Sequence, residues 1–217
     1  MNEVVIAGAG GFGHEVLRYA QEAASEGWPH KVVGFLDDDP AALAGRDTQL
    51  GVVGPLAGSP LLAADVIIAL GDPSVRRRVR LAVAAAGGRL LSLVHPRAYV
   101  ATGARIGDGV IVAPQSFIGA DSLVAANCVV NAQAAVGHDA RVGVDAVLSP
   151  GAVLGGFAHV GEGALLGTRT TVNPGVRIGA WSRIAAGSVV TGDCVSGSLL
   201  VGNPAKGRVM FRSPDEP

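Results

Sequence analysis

"VVNAQAAVGHDARVGVDAVL", residues 129–148, is built almost entirely of small and aliphatic residues, with His138 and Asp139 set in its middle. Val130, Val136, Val142 and Leu148 recur at every sixth position, and two residues before them stand Cys128, Ala134, Ala140 and Ala146. A period of six matches neither the 3.6 of a helix nor the two of a strand. It fits a coil with three short flat sides. Each side sends one aliphatic plug and one small residue into a narrow interior.

The period extends in both directions. Val100, Ile106, Val112, Ile118 and Val124 precede the stretch; Leu154, Val160, Leu166, Val172, Ile178, Ile184 and Val190 follow it. Three sides give about 18 residues per coil, so residues eighteen apart are expected to stack at the ~4.8 Å strand spacing. The run is unbroken, so no long loop is expected to leave the prism, and its ends need covers. A sandwich of short strands would not keep such phase. Composition agrees: 49% hydrophobic but only 4% aromatic residues, with 32 glycines, suit a core of Val, Ile, Leu and Ala. A net charge of −1 gives no support for nucleic acid or an anionic membrane as partner. No apolar run reaches the ~20 residues of a membrane span. The N-terminus enters a strand pattern without a basic leader region. Cys128 and Cys194 do not make a disulfide framework. A soluble, cytoplasmic protein is expected.

The first half has a different grammar. "VVIAGAGGFGHEVLRYAQEA" (residues 4–23) reads as a buried strand, a glycine turn and a helix, with Gly8, Gly10 and Gly13 in G-x-G-x-x-G spacing. Such glycines permit a tight turn, and the helix N-terminus offers free N–H groups to a phosphate. "KVVGFLDDD" is a strand ending in Asp37, Asp38 and Asp39, where an acid contacts ribose in dinucleotide folds. "ADVIIALGD" is a third strand ending at Gly71 and Asp72, and the basic "PSVRRRVRLAVAAAG" is a helix. With fewer than 100 residues the domain is about half of a dinucleotide fold, so a mononucleotide-sized ligand is expected rather than NAD. A packing turn with no ligand is the alternative. Domains are expected at 1–94 and 95–217.

The hexapeptide run with "GNPAK" at 202–206 resembles the left-handed β-helix acyltransferases, and the hand of the coil is taken from that resemblance alone. That family is typically a cyclic trimer with acetyl-CoA in the groove between neighbouring prisms. A small Rossmann-like domain in front narrows the likeness to sugar acetyltransferases of the bacillosamine and perosamine N-acetyltransferase (PglD-like) type, with sialic acid O-acetyltransferases (NeuD-like) as relatives. The landmarks are "GAGGFG", "FLDD", "IIALGD", "VHP", "VGHDARVG" and "GNPAK", and they cover nearly the whole chain. The resemblance implies an α/β Rossmann-like domain holding a nucleotide-linked sugar through Gly10, Gly11, Phe12, Gly13, Asp37, Asp38 and Gly71. Phe12 replaces a histidine found in many members; His14, at the helix start, is the substitute to consider. The resemblance also implies acetyl-CoA as co-substrate, without a metal. It is met largely by backbone at Val147, Gly156, Thr168 and Gly187, with Lys206, in the tail, reaching a CoA phosphate.

His138 lies two residues past the inward Val136, at an outward phase, and its stacking neighbours are Ala120 and Gly156. Neither has bulk, so the imidazole has space, and Gly156 offers an amide to a thioester oxyanion. An amine or hydroxyl attacking a thioester must lose a proton, and an imidazole can take it. Asp139 is adjacent, but neighbours on a strand point to opposite faces, so the two meet only if the chain bends there. The resemblance supports the pairing, since an acid follows the catalytic histidine in the family, and it adds Asn131 as a polar active-site position. His159 falls between Arg141 and Arg177 in an outward basic column with Arg105, a candidate for CoA phosphates or a neighbouring subunit. Cys128 occupies an inward phase and is read as core.

The sequence therefore points to acetyl-CoA-dependent N-acetylation of a nucleotide-linked amino sugar of the 4-amino-4,6-dideoxy type. His138 is the base, the thioester is attacked directly, and the active sites lie between subunits of a homotrimer. O-acetylation of a sugar or sialic acid uses the same base. A zinc carbonic anhydrase on the same coil needs three histidines around one metal, which this spacing does not supply. A non-catalytic scaffold is the third alternative.

Overall fold

The structure is a computed structural model that describes residues 2–211. The chain opens with β1 (Asn2–Ala7), whose residues Val4–Ala7 are all buried. Such a continuous apolar run suits a parallel strand covered on both faces. The turn after it needs glycine twice. Gly8 has φ +106°, and a Cβ on Gly13 would lie 1.8 Å from the Gly8 carbonyl oxygen. Then α1 (Gly11–Ser25) buries Val16, Leu17, Ala20 and Ala23, the i, i+1, i+4, i+7 face of an amphipathic helix.

After β2 (His30–Leu36), β3 (Val52–Gly54) and β4 (Asp65–Ile68), α2 (Pro73–Ala85) starts on an Asp72 cap that accepts the Ser74 and Val75 N–H groups. Pro73 stands at its first position, where the missing N–H is not needed. With β5 (Arg89–Leu90) the parallel sheet has the order β3-β2-β1-β4-β5. The direction of winding reverses between β1 and β4, which leaves a crevice at their carboxyl ends. The short strand β3 has no counterpart in the sequence reading.

Only Leu91 and Ser92 separate this sheet from the prism, because Leu93–Val94 already pairs with Ile111–Val112. The expected boundary at 94/95 thus falls just behind the first prism strand. From there a two-residue strand returns every six residues, and three parallel walls form. The first wall runs through Leu93, Ile111, Val129, Val147, Leu165 and Arg183. The second runs through Tyr99, Phe117, Ala135, Val153, Thr171 and Val189, and the third through Arg105, Leu123, Arg141, His159 and Arg177. Partners lie eighteen residues apart, as Phe117 and Ala135 show. The plugs and the small residues before them make one buried cluster.

A second series of period six appears at the corners. Gln115, Asp121, Asn127, Gln133, Asp139, Asp145, Phe157, Arg169 and Trp181 all have φ between +55° and +61°, and Gly103, Gly109, Gly151, Gly163, Gly175 and Gly187 complete the series. The first wall carries the α/β domain: Leu93, Ile111 and Ala113 share an apolar cluster with Ile6, Leu17, Phe35 and Ile67. Its last strand, Ser198–Gly202, turns back as the antiparallel strand Ala205–Val209.

Candidate active site

His138 stands at the corner between the second and third walls, the corner opposite the wall that carries the α/β domain. Asp139 is the positive-φ residue of that corner, at +58°. The strand rule of alternating faces does not apply there, and the two adjacent side chains meet: His138 Nδ1 and Asp139 Oδ2 are 2.9 Å apart. A carboxylate only accepts, so Nδ1 is the donor and the lone pair of the neutral ring sits on Nε2. The backbone at this corner is held from both sides. The Asp139 N–H donates to Ala120 O, and the Phe157 N–H donates to His138 O, both at 2.9 Å.

Nε2 lies over Gly156, where a Cβ would come within 2.5 Å of it. The edge of the ring meets Phe157 at 5.2 Å in a T-shaped contact. On the other side an open, apolar pocket of about 520 Å³ is lined by His138, Gly137, Ala120, Gly119, Phe117 and Tyr99. Tyr99 and Phe117 stack at 5.3 Å and are 59% and 44% exposed. Sequence reasoning singled out none of these three aromatic residues. Their signal was available: outward-facing rings in a chain that has few.

The remaining sequence candidates are distributed around the molecule. Asn131 stands at the corner between the first and second walls, where its Oδ1 accepts the Ala132 N–H at 2.7 Å. Its bonds lie there and not at His138. Val147 is a buried outward position of the first wall, and its N–H is already given to Ala164 O. Thr168 and Gly187 are exposed together at the corner between walls one and two, joined by a bond from the Gly187 N–H to Thr168 O. With Gly156 they flank the second wall. Lys206 is exposed, but it lies in the returning strand opposite Val201 rather than in a free tail. Cys128 is fully buried, its Sγ 2.9 Å from Gly143 O, and burial pushes its thiol up to about 12. It is core, as its phase implies. The outward column Arg105, Arg141, His159 and Arg177 does line the third wall, with Leu123 inserted in it.

The crevice of the α/β domain holds the other group. A Cβ on Gly10 or Gly71 would meet nothing, whereas Gly8 and Gly13 are closed in by backbone. Gly10, Gly11 and Gly71 therefore border open space, and Gly8 and Gly13 build the turn. Phe12 is half-buried against the core of the domain. Asp37 braces the glycine loop: Oδ2 accepts the Ala9 N–H at 2.7 Å and Oδ1 the Asp39 N–H at 3.0 Å. Asp38 likewise accepts the Leu56 N–H at 3.0 Å. Both carboxylates thus shape the crevice. The His14 ring turns to the Asp47 carbonyl at 3.4 Å, while the Arg46 guanidinium lies beside Gly11. Arg46 was not expected from the sequence, since it belongs to the loop between β2 and β3 and carries no motif.

Comparison with known proteins matches both halves. The PglD N-terminal domain family covers residues 3–81, and the bacterial transferase hexapeptide family (six repeats) covers residues 157–192. PerB from Caulobacter crescentus, solved with CoA and GDP-perosamine, superposes with a TM-score of 0.85 at 33% identity, over 96% of this chain and 98% of its own. The acetyltransferase domain of PglB from Neisseria gonorrhoeae, solved with acetyl coenzyme A, gives 0.84 at 30% identity over 95% and 99%. WeeI from Acinetobacter baumannii, 22% identical over 94% and 99%, shares the fold at 0.67. No curated protein matches in sequence. With its two domains matched in order over nearly all residues, an α/β unit followed by a left-handed β-helix, the chain belongs to the PglD-like hexapeptide-repeat acetyltransferases.

Proposed function

We propose that the enzyme transfers the acetyl group of acetyl-CoA to the amino group of a nucleotide-linked 4-amino-4,6-dideoxy sugar, with His138 as the base. The observation that carries this reading is the His138–Asp139 pair on an open corner, its free Nε2 set above Gly156. Support for the substrate class comes from PerB, whose complex contains CoA and GDP-perosamine. The nitrogen attacks the thioester carbon, and Nε2 takes the proton that the nitrogen must lose. Asp139 steadies the imidazolium that results. The C–S bond then breaks, and the same proton leaves with the CoA sulfur. The oxygen of the tetrahedral intermediate finds the Gly156 N–H, which has no acceptor among the described residues.

The sugar would sit at the carboxyl ends of β1 and β4, its diphosphate at the N-terminus of α1 beside Gly10, Gly11 and Arg46. That crevice and His138 lie on opposite sides of one prism. Each active site is therefore completed by His138 from another copy, as in a homotrimer with sites between subunits. The exposed apolar residues of the second wall, Tyr99, Phe117 and Val153, suit such an interface.

Mixed assemblies test this. His138→Ala removes the base, and Gly71→Trp fills the crevice at a position with open space and ordinary φ. Each variant alone is inactive with GDP-, UDP- and dTDP-linked 4-amino sugars. Refolded together, they regain activity if sites are shared between chains; no recovery refutes the shared site. Turnover of a sialic acid hydroxyl in place of every amino sugar would move the assignment to O-acetylation.

A further inference from the structure

Arg76 is the largest fully buried side chain of the molecule's described residues, and it lies on α2 with 0% exposure. Its Nη1 donates to the carbonyls of Ile68 and Leu70, the latter at 3.1 Å. Its Nε and Nη2 donate to Asn127 O at 3.0 and 2.6 Å, and Nη2 also reaches Asn127 Oδ1 at 2.8 Å. Asn127 belongs to a corner of the prism. The network continues there: Asn127 Nδ2 donates to Asp145 Oδ1 at 2.7 Å, and Arg80 closes on Asp145 with bonds of 2.9 and 2.8 Å. Asp145 is itself fully buried. Burial pushes the Arg76 guanidinium down to about 10, so it stays charged at neutral pH.

Such a buried charge network is not explained by stability. Replacing buried ion pairs with apolar side chains of similar volume is often neutral or stabilising. What the network does is geometric. The Ile68 and Leu70 carbonyls that Arg76 grips stand just before Gly71, at the open end of β4. The residue just after, Asp72, accepts an ion pair at 3.2 Å from Arg183, an outward residue of the prism's first wall. The Phe211 ring covers that guanidinium at 5.9 Å. Burial alone would raise the Asp72 carboxyl, but the Val75 and Ser74 N–H groups and Arg183 hold it below the usual range. The segment Leu70–Gly71–Asp72 is thus tied at both ends to the prism.

We propose that Arg76 and Arg183 are positioning residues through which the β-helix fixes the Leu70–Asp72 edge of the nucleotide-sugar site. The proposal rests on the reading that this crevice takes the nucleotide sugar. The α/β domain then does not hold its binding edge in place alone: Arg76 of α2 is itself anchored on Asn127 of the prism, and Arg183 of the prism holds Asp72. Because the base comes from another copy's prism, this coupling sets the sugar against His138 through rigid parts only.

Arg76→Met leaves carbonyls unpaired in the core and can fail to fold, so Arg183 carries the test. In the full-length enzyme, Arg183→Ala is expected to raise the Kd of the GDP-, UDP- or dTDP-linked amino sugar that the wild type binds by about tenfold, equivalent to ~1.4 kcal/mol. Acetyl-CoA Kd is expected to stay within twofold, and Arg183→Lys to restore most of the loss. Hydrogen exchange of the Ser74 and Val75 amides, both bonded to Asp72 Oδ1, supplies a readout that needs no ligand, and it is expected to quicken about tenfold in Arg183→Ala. Unchanged exchange, or unchanged sugar affinity in a wild type that binds the sugar, overturns the proposal. A wild type that binds acetyl-CoA but none of the nucleotide sugars overturns the substrate reading instead, and the exchange result then still decides the coupling.

Discussion

Gly156→Ala is a one-methyl test of the base. The added Cβ would stand 2.5 Å from His138 Nε2, 2.7 Å from Cε1 and 3.1 Å from Cδ2. Ordinary contact begins near 3.4 Å, so the ring must retreat by about 0.9 Å or rotate off its place. Gly156 has no positive φ, so alanine strains no backbone there, and the ring it displaces is solvent-exposed. Stability should therefore barely move, with Tm within a few degrees of the wild type. A misplacement of ~1 Å at a reacting group lowers turnover by about 100-fold, or ~2.7 kcal/mol of transition-state stabilisation. The assay is release of the CoA thiol against a nucleotide-linked 4-amino sugar, with acetyl-CoA varied. Expected is a kcat about 100-fold down, with the KM of the nucleotide sugar unchanged. The double variant with His138→Ala separates two causes. If the methyl acts through the ring, the double variant is no slower than His138→Ala alone. If it is slower, the Gly156 amide makes its own contribution. A kcat within twofold of wild type refutes the placement of the base above Gly156.

Asp139→Asn keeps a side chain that tolerates the positive-φ corner but loses the charge, so kcat is expected to fall about tenfold or more with Tm unchanged; steady-state kinetics and a melting curve check this. Gly163→Ala should destabilise by about 1–3 kcal/mol, seen as a lower melting temperature, because its Cβ would lie 2.3 Å from the Trp181 ring and its φ is +61°. The Cys128 thiol, held up to about 12 by burial, stays protonated in the native protein at pH 8, so alkylation followed by mass spectrometry should mark Cys194 and spare Cys128 until the chain is unfolded. The linkage has a sign: this thiol favours the native state fully below its unfolded value near 8.5, and that contribution is lost as pH rises from there towards 12.

The prism was legible because one residue in six carries its register. A plug such as Val136 fills a closed interior that admits little else, so the period survives in the sequence. The strand–turn–helix of the first domain was legible for a similar reason, since Gly13 is compelled by the Gly8 carbonyl. The site was legible only in pieces. The stacking of His138 on Gly156 follows from counting eighteen residues, whereas Asn131 lies one corner earlier and Val147 on the first wall, so any meeting with His138 needs another copy. Arg76 was read as one of several charges on a basic helix. Its partner Asn127 is fifty-one residues away in another domain, and no local pattern announces such a bond. Arg46 escaped because it lies in a loop without a motif, although its neighbour Gly11 is in the same domain. Contacts between coil and α/β domain depend on how the two dock, and docking leaves no period.

The meeting of His138 with Asp139 shows how this fold brings an imidazole and a carboxylate together without being bent for it. A full coil of the prism must turn three corners, and every corner from Gly103 to Gly187 places one residue at positive φ. Aspartate and asparagine tolerate that conformation better than most residues, so an acid at position 139 satisfies a purely structural demand. Asp121 occupies the equivalent corner one coil earlier, but there the preceding residue is Ala120. The proposed proton acceptor differs from that structural corner by histidine in place of the alanine, with glycine one coil beyond. The same geometry keeps successive side chains of a flat wall apart and brings those of a corner together. A base with its carboxylate partner next door in sequence is thus available to this coil at its corners and nowhere along its walls.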